Sequence, residues 1–121
     1  MITIVDLSIG NVAAFVNLYN RLHIPVRVVR NSIELQTAEK LILPGVGSFD
    51  NFMDRLDDLG MLETLNELVL GKKIPILGVC VGMQVLADRS DEGSRNGLGW
   101  IPGNVRLLKS HALPHRFKTP H

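Results

Sequence analysis

The chain has 121 residues, of which 45% are apolar and 21% charged, and a formal net charge of +1 at pH 7. This length fits one domain with one core, the charge argues against nucleic acid as the main partner, and the single cysteine excludes an internal disulfide and is typical of a reducing compartment. Residues 1–6 lack a signal-peptide pattern and no window reaches the about 18 apolar residues of a membrane span, so we expect a cytoplasmic protein without a membrane partner.

Short apolar runs alternate with segments of helical periodicity along the chain. In chain order, the pattern predicts a strand at 2–5, a helix at 12–22, a strand at 26–29, a short helical or irregular crossover at 33–39 and a strand at 41–43. It then predicts a helix capped by Ser48 or Asp50, an apolar helical stretch at 62–71, a strand at 74–77, a helix at 83–88, a surface loop at 88–97 and a strand at 105–108.

This alternation predicts an α/β fold with an open, mostly parallel sheet flanked by helices, in flavodoxin-like layers. The predicted strands are continuous apolar runs, as expected where helices cover both faces of a sheet. Loops that follow parallel strands share one edge of the sheet, where open α/β sheets bind ligands. Gly10–Asn11, Pro44–Gly47 and Cys80 all fall at this edge.

The most informative motif is Gly-Val-Cys-Val-Gly at residues 78–82, between a predicted strand and a predicted helix. This order, a strand, the motif Gly-x-nucleophile-x-Gly and then a helix, is the layout of a nucleophile elbow. The elbow is a tight turn, and a Cβ two residues before or after the nucleophile would collide with the adjacent strand or helix. A helix that starts at the elbow directs its N–H groups towards the sulfur of Cys80 and favours the thiolate. The alternative is a buried and inert cysteine, and the two glycines favour a nucleophile instead.

Together with four other stretches, this motif resembles the class I, triad-type glutamine amidotransferase family. The matching stretches are residues 6–11, Leu-Pro-Gly-Val-Gly-Ser-Phe at 43–49, Gly-Val-Cys-Val-Gly-Met-Gln at 78–84, residues 97–103 and Lys-Thr-Pro-His at 118–121. They cover the whole chain in register and fit best the branch of the family that serves histidine biosynthesis. The resemblance implies the α/β fold of that family.

The resemblance also implies a reaction at Cys80. Its sulfur would attack the side-chain amide carbon of glutamine, release ammonia and leave a γ-glutamyl thioester that water hydrolyses to glutamate. The oxyanion would accept hydrogen bonds from the Val81 N–H and from the Pro-Gly-Val-Gly turn, at Val46 and Gly47, after a peptide of that turn reorients on engagement of the synthase partner. Gln84, one helical turn past Cys80, resembles the glutamine-binding residue of the family.

Four further residues would support these turns rather than react, namely Pro44, Gly45, Gly78 and Gly82. Taken alone, Pro-Gly-Val-Gly is most often only a turn and Gln84 only a solvated helix residue, so the assignments depend on the combination. The resemblance implies ammonia transfer to a (β/α)8-barrel cyclase or synthase subunit, with no cofactor.

The base half of the triad has no counterpart in the chain. In the family, a histidine acts as base and a glutamate orients it, both close to the C-terminus, and the family domain continues well past the point matched by His121. His111 and His115 match neither, and Pro114 between them argues against a metal site on a helix. We therefore predict that residues 1–121 are the N-terminal portion of one glutaminase domain, C-terminally incomplete and inactive alone, either as a fragment or with the remainder on another chain.

Three other functions remain open. The first is a paralogous amidotransferase subunit for surface-polysaccharide sugars, favoured by Leu7-Ser8-Ile9, where the family usually has an aromatic residue and Gly-Met. The second is a non-catalytic binding or regulatory subunit, favoured by the missing base. The third is another cysteine-elbow protein, such as a stress-type hydrolase or peroxide sensor, although such proteins lack the Pro-Gly-Val-Gly turn and the Met-Gln pair.

Overall fold

A computed structural model describes residues 1–108 of the chain, and they form a parallel sheet with helices on both sides. The strands are β1 (Ile2–Val5), β2 (Val26–Val29), β3 (Lys40–Gly45), β4 (Ile76–Cys80), β5 (Arg89–Ser90) and β6 (Asn104–Val105). The helices are α1 (Val12–Arg21), α2 (Ser32–Leu35), α3 (Phe49–Asp58), α4 (Leu62–Asn66), which continues as a π-helical turn at Glu67–Gly71, and α5 (Val81–Gln84).

The main sheet has the strand order β2-β1-β3-β4, and all three pairings are parallel. Ile2 lies beside Val26 on one side and Lys40 on the other, and Gly45 lies beside Cys80. The predicted α/β class and parallel pairing are therefore confirmed. A separate two-stranded parallel pair, β5 and β6, follows the main sheet.

One face of the sheet packs against α3, α4 and the π-helical turn. Val5, Val29 and Leu43 point from the strands into this core, and Phe52 and Leu56 meet them from α3. Every one of these side chains is fully buried. Burial of this apolar area stabilises the fold of the described residues.

The opposite face, below α1, is covered less completely. None of the α1 residues is buried, and Leu18 and Leu22 are largely exposed. Leu77 of β4 points to this face and is 54% exposed, beside an open apolar groove of about 210 Å³ that Ile2 and Tyr19 also line. The prediction that helices cover both faces holds for the first face and only in part for this one.

Several element boundaries differ from the sequence-based prediction. β3 runs through Pro44 to Gly45 instead of ending at residue 43; its pairing with β1 stops at Ile42, so Pro44 lies where β3 has a neighbour on one side only. β4 begins at Ile76 and continues to Cys80, two to three residues later than predicted. The last strand comprises Asn104–Val105 only, and β5 lies within the stretch predicted as a loop.

The helix caps follow ordinary side-chain chemistry. Asn11 accepts a hydrogen bond from the N–H of Ala14 at the start of α1, and Ser48 accepts one from Asn51 at the start of α3. The cap of α3 is therefore Ser48, not Asp50. This leaves the Asp50 carboxylate available for contacts with another part of the chain.

Candidate functional site

The sheet register brings three predicted segments together at one edge. Gly45, at the end of β3, lies directly beside Cys80, at the end of β4. The loop after β1 reaches the same place, since a Cβ on Gly10 would stand 3.2 Å from the carbonyl oxygen of Pro44. The predicted convergence of Gly10–Asn11, Pro44–Gly47 and Cys80 is confirmed.

Cys80 occupies a backbone conformation that side chains rarely adopt. It ends β4 and immediately precedes α5, with φ 56° and ψ −122°. A non-glycine residue at positive φ costs about 1–3 kcal/mol and persists where the surrounding structure imposes it. The thiol is free and the residue is exposed, so the alternative of a buried cysteine is wrong. The turn thus presents the sulfur to solvent at the sheet edge.

The two glycines that flank Cys80 allow close approach on both sides of the turn. A Cβ on Gly78 would lie 2.6 Å from the carbonyl oxygen of Gly82 and equally close to the Cα of Met83. A Cβ on Gly82 would overlap the carbonyl oxygen of Leu43 in β3. Because backbone atoms cannot swing aside as a flexible side chain can, both positions require glycine. These contacts confirm the predicted crowding around the elbow.

The helix after the elbow starts earlier and is shorter than predicted. α5 spans only Val81–Gln84, instead of residues 83–88. Val81 is buried at its first position, where a backbone N–H has no acceptor within the helix. Gln84 is half-buried at the end of this single turn. The elbow therefore places the first backbone N–H of α5 and one amide side chain within a turn of Cys80.

The Pro-Gly-Val-Gly turn is attached to the loop after β1. The Val46 N–H donates a 2.8 Å hydrogen bond to the carbonyl oxygen of Ile9. The Val46 side chain is 56% exposed, while Pro44 and Gly45 are buried. Gly47 has φ 99°, which only glycine adopts easily, although a Cβ there would meet no atom within 4 Å. In this conformation, the Val46 donor points to Ile9 and is already satisfied.

Asp6 and Arg55 fix the loop after β1. The Asp6 carboxylate accepts hydrogen bonds from the Ser8 N–H, at 2.9 Å, and from Arg30 Nε, at 3.1 Å. Arg55, on α3, donates its Nε–H to the carbonyl oxygen of Leu7 at 3.0 Å. These bonds place Ile9 where it can accept from Val46.

A second set of long-range bonds attaches the segment after β5 to α3. The Asp50 carboxylate accepts hydrogen bonds from the backbone N–H groups of Ser94, at 2.9 Å, and Arg95, at 3.0 Å. The Arg95 guanidinium donates to Asp54 and Asp57, which lie about one and two helical turns past Asp50 on α3. The Ser94 and Arg95 N–H donors hold the pKa of Asp50 below its usual value, and the bond to Asp57 raises the pKa of Arg95.

The sequence pointed to every turn of this edge but missed two of its connections. No sequence pattern marks Ile9 as the acceptor of the Val46 N–H, or Asp50 as the anchor of Ser94 and Arg95.

His111, His115 and His121 lie outside the described residues, as does the match at 118–121. Within residues 1–108, no group of three or more His, Cys, Asp or Glu side chains is arranged to bind a metal, and no helix is long and apolar enough to cross a membrane.

Comparison with known proteins gives one family. The family model described as "Glutamine amidotransferase class-I" matches residues 3–118. The chain is 60% identical over 121 residues to the imidazole glycerol phosphate synthase subunit HisH of Bdellovibrio bacteriovorus, and 50% identical over 106 residues to that of Leptospira interrogans.

The coverage of these relatives is partial. The alignment takes in all of this chain and 59% of the Bdellovibrio protein, and 88% of this chain and 52% of the Leptospira protein. A solved structure titled "Crystal structure of glutamine amidotransferase" superposes with a TM-score of 0.75 at 21% identity, over 88% of this chain and 56% of that one. That similarity supports the fold described above.

Proposed function

Because the chain belongs to the class-I glutamine amidotransferase family, we propose that it supplies the nucleophile half of a glutaminase site, with Cys80 as the catalytic residue. The observation that carries this proposal is the elbow itself: an exposed thiol at positive φ, between two glycines that have no room for a Cβ. Residues 1–121 then form the N-terminal portion of one glutaminase domain. We propose no resident metal or cofactor.

The reaction begins with attack of the Cys80 thiolate on the side-chain amide carbon of glutamine. The carbon–sulfur bond forms, the carbon–nitrogen bond breaks, and the leaving nitrogen takes a proton and departs as ammonia. Water then attacks the γ-glutamyl thioester, which yields glutamate and returns the thiol. Each half-reaction also needs a proton carrier. We propose that this role belongs to the histidine and glutamate that the family resemblance implies, outside the described residues 1–108.

Two backbone segments would stabilise the oxyanion. The Val81 N–H lies at the first position of α5 and has no acceptor within the helix. The second donor would come from the turn at Val46 and Gly47. Since the Val46 N–H is bonded to Ile9 in this conformation, that peptide must reorient before it can donate. A glutaminase that waits for this change would remain slow until its partner binds.

Gln84 is proposed as a glutamine-binding residue. Its amide can donate and accept, which suits the polar groups of an amino acid substrate. Its position at the end of α5, one turn from Cys80, places it on the element that carries the nucleophile.

The proposed partner is a synthase subunit that receives the ammonia. The relatives from Bdellovibrio and Leptospira are both named as subunits of imidazole glycerol phosphate synthase, which supports the histidine branch over the polysaccharide-sugar branch. We propose a (β/α)8-barrel cyclase subunit as that partner. Its binding would reorient the Val46 peptide and couple glutamine hydrolysis to ammonia use.

A chimera tests this function directly. Residues 1–121 of this chain replace the aligned residues of the Bdellovibrio protein, and glutamate release is measured with and without the synthase partner of that protein. The proposal expects glutamate release that rises on addition of the partner and is abolished in the matched Cys80→Ser chimera. A folded chimera that releases no glutamate, or releases it equally well with Cys80→Ser, would overturn the proposal.

A further inference from the structure

The elbow helix α5 is too short to hold its own position. Four residues form a single turn, and an isolated turn of helix is unstable because nucleation costs more than one hydrogen bond returns. Contacts with other parts of the chain must therefore fix α5. Its N-terminal end is fixed by β4 and by the contact of Gly82 with Leu43, and its C-terminal end needs another support.

The support at the C-terminal end is the segment from Gly97 to Ile101, here called the strap. The N–H of Leu98 donates to the Val85 carbonyl at 2.7 Å, and the N–H of Ile101 donates to the Leu86 carbonyl at 2.9 Å. Two glycines complete the strap: the N–H of Gly97 donates to Asp88 and that of Gly99 to Ala87. The strap thus satisfies the carbonyl groups left free just after α5.

Asp50 and Arg95 anchor the start of the strap to α3. One Asp50 oxygen accepts the Arg95 N–H, and the other accepts both the N–H and, at 3.3 Å, the hydroxyl of Ser94. The Arg95 guanidinium then bridges Asp54, at 2.7 Å, and Asp57, at 2.9 Å. The lowered pKa of Asp50 is consistent with an ionised carboxylate that accepts these bonds. Hydrogen bonds to charged groups are about twice as strong as neutral ones.

The anchoring helix α3 is also the helix that follows the Pro-Gly-Val-Gly turn. Gly47 is separated from Phe49, the first residue of α3, only by the cap Ser48. The contacts of Asp50 and Arg95 between α3 and residues 94–95 are here called the clamp. The clamp joins α3, which follows the Val46–Gly47 turn, to the strap, which supports α5 behind Cys80. We propose that Asp50 and Arg95 are positioning residues that set the placement of the Cys80 elbow relative to the Val46–Gly47 turn. This inference rests on the proposed glutaminase function.

Replacement of Asp50 by Asn tests the clamp. Asparagine keeps one acceptor oxygen and puts an NH₂ group opposite the N–H of Ser94 or Arg95, so the clamp should loosen. The matched control is Asp58→Asn, which makes the same change on the same helix at an exposed residue that forms no ion pair within residues 1–108. Arg95→Lys is the second variant, because lysine keeps the charge but cannot bridge two carboxylates in the same geometry.

Two readouts separate positioning from simple stabilisation. Amide hydrogen exchange at Leu98, Gly99 and Ile101 reports on the strap, and we expect it to quicken about tenfold in Asp50→Asn, the equivalent of one charged hydrogen bond. Covalent modification of Cys80 by an electrophilic glutamine analogue reports on the site. We expect its maximal rate to fall several-fold with little change in half-saturation, and Asp50→Glu, which keeps both acceptor oxygens, to recover part of that loss.

The outcomes decide between the alternatives. Faster exchange with an unchanged maximal rate in both Asp50→Asn and Arg95→Lys would make the clamp merely structural and overturn the proposal. Asp50→Asn that behaves like Asp58→Asn in both readouts would also overturn it. If the analogue fails to modify the wild type, the proposed function fails. Iodoacetamide, which needs no glutamine pocket, then decides the clamp: an altered Cys80 rate with faster exchange supports the clamp, and unchanged values overturn it.

Discussion

The two faces of the sheet differ in how completely they are covered, and the candidate site is built on the covered one. On the α3 and α4 face, Phe52 is fully buried, and Val81 of the elbow helix packs into the same core. On the α1 face, no helix residue is buried, and Leu77, only three residues before Cys80, is 54% exposed. The position of Cys80 should therefore depend on the first face and be nearly independent of the second.

The largest loss of stability is expected from a substitution at the centre of the covered face. Phe52→Ala removes a fully buried ring that also packs against Gly45 at the end of β3. We expect it to lower the free energy of unfolding by about 3–5 kcal/mol, since a large cavity remains. Leu18→Ala on α1 is the control and should cost less than about 1 kcal/mol, because that side chain is half in solvent. Urea denaturation of the two variants measures the contrast, and equal losses would refute the comparison.

The next effect is expected at the elbow. A Cβ on Gly82 would overlap a backbone oxygen of β3, so Gly82→Ala should push α5 away from the sheet and cost about 3 kcal/mol. Gly71→Ala is the matched control, because a Cβ there would meet no atom within 4 Å. Thermal unfolding and the alkylation rate of Cys80 measure the two consequences. A Gly82→Ala protein with wild-type stability and wild-type Cys80 reactivity would show that the crowding is unimportant.

Acid should weaken the Asp50 clamp. The folded-state pKa of Asp50 lies below its usual value, so the ionised form stabilises the fold; this contribution is complete above the unfolded pKa of about 3.9 and is lost as the pH falls through the lowered value. Asp54 and Asp57 are the other carboxylates that face Arg95. The emission of Trp100, the only tryptophan and part of the strap, measures the change.

In this titration, wild type and Asp50→Asn should differ near neutral pH and converge on acidification below about pH 4. Trp100 is a suitable probe because its indole N–H donates to Asn66 at 2.7 Å, which joins the strap to α4. A difference between the two proteins that persists undiminished into strong acid would contradict the role of the Asp50 carboxylate.

The smallest change in stability and in Cys80 reactivity is expected from a substitution on the α1 face. Leu77→Thr keeps a residue that favours strands and removes apolar area that is already half exposed. It should change the free energy of unfolding by less than about 1 kcal/mol and leave the alkylation rate of Cys80 unchanged. A large loss in either measurement would show that the α1 face contributes more to the elbow than its exposure indicates.

The sequence predicted the fold and the site where local patterns decide the structure. The apolar runs at β1 and β2 and the helical spacing of α1 gave correct elements, and the glycines around Cys80 gave the elbow. Predictions were less accurate where neighbours in space decide. Pro44 belongs to β3 only because β4 pairs with it, and α5 starts at Val81 because the elbow turns there.

Contacts between distant residues could not be predicted from one sequence. Asp50 reads as a helix cap, yet its partners Ser94 and Arg95 are 44 and 45 residues away along the chain. The bond between the Val46 N–H and Ile9 joins two loops whose conformations carry no local signature. Both connections depend on the assembled sheet, which brings the loops to one edge.

The most direct test of the central claim is mass-spectrometric mapping of the chain after treatment with an electrophilic glutamine analogue. We predict modification of Cys80 that free glutamine slows and asparagine does not, and no modification in Cys80→Ser. Two results would contradict the claim that the elbow is the nucleophile half of a glutaminase site. In the first, iodoacetamide modifies Cys80 readily but the analogue does not. In the second, the analogue modifies Cys80 and free glutamine does not slow the modification.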